Sequence, residues 1–91
     1  MPTKVIFRKF RNGEVIALFP EVAGGSNPSN CQSYMHVGQH GAADPHLAAA
    51  YPATAEEYAP LLAELKRIGY DDLEICKRVQ ASAYRIRRGQ L

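Results

Sequence analysis

The sequence predicts an α+β fold, a small antiparallel sheet covered by one main helix, and three features carry that prediction. Two runs rich in β-branched and aromatic residues, 4–10 (KVIFRKF) and 14–19 (EVIALF), are separated by Arg11-Asn12-Gly13. Asn-Gly between such runs is the strongest short-range hairpin signal. Tyr58, Leu61, Leu62, Leu65 and Ile68 then recur at helical spacing behind Thr54 and Glu57, which stand three apart as in a capping box. The expected element order is β-β-β-(short α)-α-β.

In the hairpin, alternation places Val5, Phe7 and Lys9 on one face and Ile6, Arg8 and Phe10 on the other, with Val15, Ala17 and Phe19 opposed to Ile16 and Leu18. Both faces are therefore apolar. Residues 20–30 (PEVAGGSNPSN) are rich in turn formers and read as an exposed loop, whose Gly24-Gly25 lacks the Lys-Ser/Thr of a phosphate loop. A third strand is expected over 31–37 (CQSYMHV), ended or bent by Gly38. Asp44-Pro45 fits an N-cap followed by proline at the first helical position, predicting a short helix through Tyr51 that stops before Pro52. The main helix carries Pro60 after its first turn, which predicts a local bend, and ends at Gly69. Residues 73–79 (LEICKRV) read as the fourth strand, so a single domain spans 1–80 and 81–91 form a basic, flexible C-terminal tail.

One helix covers one face of such a sheet. The other, with Ile6, Phe10, Ile16 and Leu18, needs either the 20–30 loop and the short helix folded over it, or a second protomer or protein partner docked on the open sheet face.

A chain of 91 residues holds one core and leaves little room for a bulky internal cofactor, so ligands are expected at the surface. With 46% hydrophobic and 22% charged residues the composition is that of a globular protein, which argues against disorder. No apolar run approaches the about 18 residues of a membrane helix, and MPTKVIFRKF lacks the apolar stretch of a signal peptide. A cytoplasmic location without membrane association follows as the expectation. Cys31 and Cys76 are too few for a disulfide framework and are expected as free thiols.

Charge is unevenly distributed. Lys4, Arg8, Lys9 and Arg11 make residues 1–11 +4, Lys77, Arg78, Arg85, Arg87 and Arg88 make residues 75–91 +5, and the stretch between is −7. If the two ends are neighbouring strands they form one basic surface suited to an anionic partner; alternatively the basic and acidic regions complement each other within the fold. Nucleic acid is one such partner, with Arg85, Arg87 and Arg88 as candidate contacts, although neither an RNP-like motif nor a helix-turn-helix is present.

The densest set of chemically able side chains lies between Cys31 and His46. Gln32, Tyr34, His36, Gln39 and His40 are candidates for a polar ligand- or peptide-binding patch. His36, His40 and Asp44 are of the types that hold zinc or another divalent metal, and a hydrolytic enzyme could use the same histidines. In a continuous strand His36 and His40 would stand about 13 Å apart. Only a tight turn at Gly38 joins them. A Cys31–His36 nucleophile pair is disfavoured because the two alternate to opposite strand faces. With no paired Cys-x-x-Cys and no His-Glu-x-x-His in the chain, a plain strand histidine and a loop histidine are the simpler reading, with no cofactor.

Residues 5–10 and 13–20 (GEVIALFP), 34–40 (YMHVGQH) and 57–62 (EYAPLL) together resemble a small family of bacterial and phage proteins. The resemblance covers residues 4–80, most of the chain. That family has no established activity, so it implies a stable small domain and supplies no catalytic residues. Of the functions open to the chain, a non-enzymatic binding or interaction module stands first, ahead of a metal-dependent or hydrolytic enzyme and a nucleic-acid-binding accessory.

Overall fold

The computed structural model describes residues 2–35, 39–43 and 51–91. Strand β1 (Thr3–Lys9) pairs antiparallel with β2 (Val15–Ala23). Their turn is closed by Gly13 N–H donating to the Phe10 carbonyl at 2.9 Å and Phe10 N–H donating to the Glu14 carbonyl at 2.8 Å. Gly13 takes φ +92°, the left-handed conformation that a three-residue hairpin loop requires at its last position. Asn12 accepts from Glu14 N–H at 3.0 Å through its side-chain oxygen.

The register, Ile6 opposite Leu18 and Phe7 opposite Ala17, sorts the apolar residues into two buried sets as alternation predicts. Val5, Phe7, Val15, Ala17 and Phe19 face one way with Tyr34, Leu61 and Leu65. Ile6, Ile16, Leu18 and Cys31 face the other.

β3 (Cys31–Met35) adds to β2, and β4 (Gln39–Ala43) folds back on β3 with Met35 opposite Gln39 and Tyr34 opposite His40. Residues 31–35 of the expected third strand form β3, and β4 was not anticipated, since QHGAA contains no β-branched or aromatic residue. Residues 36–38, between these strands, lie outside the described residues. Most of the short helix expected after Asp44 falls on residues 44–50, which also lie outside them, while Tyr51 belongs to a strand.

That strand, β5 (Tyr51–Pro52), pairs antiparallel with the last residues of β1, and β6 (Leu73–Ile75) pairs with its first residues. β6 runs parallel to β1, a departure from an all-antiparallel sheet. A helical crossover precedes it, the connection that parallel pairing needs. Pro52 is opposite Arg8 beside the bonded pair formed by Ala53 N–H and the Phe7 carbonyl at 3.2 Å. Its missing donor therefore falls on the outer edge, where it leaves no ladder bond broken.

The crossover is α1 (Ala55–Arg67), opened by the expected Thr54/Glu57 capping box. At its end Tyr70 N–H donates to the Leu65 carbonyl at 3.0 Å and Gly69 N–H to the Lys66 carbonyl at 3.3 Å. This is the Schellman arrangement, with Gly69 at φ +123°. It returns Tyr70 to the core, stacked on Phe19 at 5.1 Å. Leu61 and Leu65 are fully buried and Tyr58 and Leu62 pack beside them. Ile68 departs from the predicted stripe: it is 47% exposed, because it caps the helix where the chain turns away.

Residues 81–91, expected as a flexible tail, form α2 (Ser82–Arg88), which packs along β2. Three residues explain the docking. Ala83 is buried, and Arg87, 1% exposed, donates to the Pro20 carbonyl at 2.5 Å and the Pro28 carbonyl at 2.9 Å. Gln90 donates to the Glu21 carbonyl and accepts from Ala23 N–H, each at 2.7 Å. Between Phe19 and Ala23 the β2–β3 register shifts, and the end of α2 takes up backbone groups that this irregularity frees from the ladder. Residues 20–23 accordingly continue β2, where a loop was expected. Cys76 and Val79 pack on the second apolar set, so the sheet face predicted to be open is covered by the chain's own C-terminal segment.

Candidate anion-binding groove

The outer edge of β1 is shared by two short strands of opposite direction, and the site lies where they part. β5 ends at Pro52 and the chain passes directly into α1, so Thr54 and Ala55 bring the helix N-terminus to the gap. β6 ends at Ile75, and Cys76, Lys77 and Arg78 leave it into the same gap. A crevice beyond the carboxyl end of a parallel strand, beside a helix N-terminus, is where α/β sheets hold anions.

The groove has a volume of about 790 Å³. Phe7 and Tyr58, stacked at 4.4 Å, form its apolar wall with Pro52, Ala53 and Ile75. Arg8, Lys77 and Arg78 supply three cations, and among the described residues no carboxylate lines it. Arg8 donates through Nη2 to the Lys77 carbonyl at 3.3 Å, while its Nε is buried with no hydrogen-bond partner among the described residues. The capping box occupies the Thr54 and Glu57 amides, leaving Ala55 and Glu56 N–H as first-turn donors at the helix's positive end.

Cys76, half-buried in the groove wall, sets its thiol 3.7 Å from both the Glu74 carbonyl and its carboxylate. Burial first, and then the Glu74 charge, push this thiol above its ordinary pKa, which disfavours the nucleophilic thiolate. Cys31 is fully buried among aliphatic neighbours.

The other cations of the basic ends are differently placed. Lys4 pairs with Glu21 at 3.1 Å and Lys9 with Glu57 at 2.5 Å, so part of the terminal charge is complemented within the fold. The Glu21 carboxylate raises the Lys4 pKa. Lys9 first, and the Thr54 amide second, lower that of Glu57 to about 2. Of the three arginines singled out for nucleic acid, Arg85 and Arg88 are exposed beside Gly89. Arg87 is turned inward onto backbone carbonyls and has no surface to offer a phosphate.

The candidate patch of Gln32, Tyr34, His36, Gln39 and His40 falls partly outside the described residues. Tyr34 is a core residue, 1% exposed, whose hydroxyl donates to the Glu64 carboxylate at 3.0 Å. Gln32 is half-buried in β3. Gln39 and His40 are placed only by their backbone register in β4, and His36 and Asp44 lie outside the described residues. Among the described residues no group of three histidine, cysteine or acidic side chains is arranged to hold a metal ion. No helix among them is long and apolar enough to cross a membrane.

Sequence reasoning missed the groove. The pattern of 73–79 places Lys77 and Arg78 in a strand and that of 4–10 makes Arg8 a strand cation, so only the charge imbalance points to them. No family model, curated protein or solved structure matches the chain.

Proposed function

We propose that this protein is a non-enzymatic binding module whose groove takes a small organic anion, its charged group on the cations and its apolar body against the Phe7–Tyr58 wall. The observation that carries this reading is the convergence of Arg8, Lys77 and Arg78, from two distant stretches of chain, on one crevice beside a helix N-terminus. Like charges brought together, with no carboxylate lining the groove among the described residues, repel one another, and a bound anion relieves that repulsion. The raised thiol pKa of Cys76 argues against the groove as a site of thiol chemistry. Among the described residues the two cysteines form no disulfide, which suits a reducing, cytoplasmic setting.

Thermal denaturation against increasing phenyl phosphate at low salt tests the reading. A ligand of the native state raises the melting temperature with concentration, and screening by added salt reduces the rise. The double variant Lys77→Gln/Arg78→Gln is expected to lose most of it. No rise for any small organic anion at low salt would refute the proposal. An oligonucleotide titrated in parallel separates this reading from the nucleic-acid one, since tighter oligonucleotide binding that depends on Arg85 and Arg88 would move the function to α2.

A further inference from the structure

We infer that Arg8 is the specificity-determining residue of the groove and that the ligand class it selects is the phosphate monoester of an apolar alcohol. The inference rests on the reading of the groove as an anion site and narrows it. Arg8 is the next-to-last residue of β1, opposite Ile16 on one side and Pro52 on the other, so its Cα is fixed by both neighbours. It lines the groove at the seam between β5 and the residues that follow β6, where its guanidinium meets the Lys77 carbonyl.

There it is half used. Nη2 has the Lys77 carbonyl at 3.3 Å, a bond at the long end of the range, and the adjacent Nε is buried without a partner among the described residues. A buried donor left unpaired is costly, and native structures rarely keep one without a reason. Nε and Nη2 lie on one edge of the planar guanidinium and donate in parallel, which matches two oxygens of a single oxyanion. Exchange of the long carbonyl bond for such an oxyanion would satisfy both donors at once. It would also release the Lys77 carbonyl, loosening the 76–78 segment around the entering group.

Charge distinguishes the two oxyanions that fit the fork. A carboxylate offers one negative charge, whereas a phosphate monoester near neutral pH carries close to two and a third oxygen. Lys77 and Arg78, exposed on the same wall, stand ready for that additional charge and oxygen. The apolar wall of Phe7, Pro52, Ala53 and Tyr58 receives the organic body, so inorganic phosphate is the poorer ligand.

The test compares phenyl phosphate, benzoate and inorganic phosphate on the parent protein and on Arg8→Lys, which keeps the charge and removes the fork. Phenyl phosphate is expected to bind the parent more tightly than either other probe, and Arg8→Lys to weaken it roughly tenfold or more with little change in salt dependence. Equal affinity of Arg8→Lys and parent would overturn the assignment to Arg8 while leaving the groove as an anion site. Benzoate binding as tightly as phenyl phosphate would overturn the phosphate class. Absence of binding by the parent to all three would remove the groove reading itself. Should Arg8→Lys fail to fold, the Nε–H resonance of Arg8 in the parent decides: a downfield shift on adding phenyl phosphate is expected, and an unmoved resonance at saturation refutes the role.

Discussion

Arg87 offers a test of how the C-terminal helix is held, because its contribution can be worked out from its contacts. Its guanidinium is 1% exposed and donates to the Pro20 and Pro28 carbonyls, joining α2 to the end of β2 and to the following loop. A hydrogen bond from a charged donor contributes about 1.5–3 kcal/mol, so two of them set an upper range of about 3–6 kcal/mol. Burying the guanidinium without a carboxylate opposes this, and removing the charge recovers part of that desolvation. Arg87→Ala should therefore cost roughly 2–4 kcal/mol, leaving two carbonyls short of a donor. For a domain of this size each kcal/mol shifts the melting temperature by about 4–8 °C, which places the expected fall at roughly 10–30 °C. Guanidinium-chloride denaturation followed by far-ultraviolet circular dichroism gives the difference directly. Arg88→Ala, at an exposed position one residue on, is the control and should stay within about 0.5 kcal/mol of the parent. Arg87→Lys should fall between them, since one ammonium cannot reproduce the planar fork that reaches both carbonyls. If Arg87→Ala matches Arg88→Ala, α2 is not anchored through this side chain and the reasoning fails.

Gly24→Ala would set a Cβ 2.4 Å from the Cys31 carbonyl oxygen, a backbone atom that cannot swing aside, and should destabilise by about 1–3 kcal/mol in the same denaturation assay. Glu57 has a folded-state pKa of about 2 against an ordinary 4.5. A depressed carboxylate pKa contributes stability that is complete above about pH 4.5 and is lost as pH falls toward 2. Melting temperatures measured across that window should therefore drop less for Glu57→Gln than for the parent, and parallel curves would count against the Lys9–Glu57 pairing. Leu18→Lys places a charge at a fully buried position of the second apolar set. The expected result is loss of the cooperative transition, at a cost above about 4 kcal/mol, whereas a folded variant that sediments as a smaller species than the parent would identify that face as an interface between protomers.

Local signals account for the parts of the fold that were legible beforehand. Asn12-Gly13 specifies its hairpin because the left-handed residue is needed at one position, and Thr54, Glu57 and Gly69 specify their helix ends because each satisfies particular terminal donors or acceptors. Alternation then sorted Val5 and Phe7 from Ile6 correctly. Several elements decided at long range were not legible. β4 and β5 have little propensity of their own and exist by pairing with β3 and β1. α2 has no side-chain cap and three arginines in its last turn, so its sequence looks like a solvated tail. Its order comes from Arg87 and Gln90 meeting backbone groups of residues 20–28, a complement that no periodicity reveals.

The groove was illegible for a related reason, and that reason bears on its role. A strand in the interior of a sheet has its edges covered by neighbours, yet among the described residues β1 has on one side only a two-residue strand and a three-residue strand, entering from opposite directions. Neither is long enough to meet the other. Had β6 continued through Val79, as the apolar alternation of 73–79 suggested, Lys77 and Arg78 would have lain in a ladder beside β1 and the seam would have closed. By ending at Ile75 it lets the chain turn across the second face, where Cys76 and Val79 complete the core, and it leaves the two cations at the lip of the gap. The residues that cover the second apolar set, Cys76 and Val79, and two of the groove's three cations, Lys77 and Arg78, thus occupy four consecutive positions. A ligand that pulls on Lys77 and Arg78 therefore acts on the segment that closes the core, and the groove's occupancy should register in the stability of the whole domain as well as at the site.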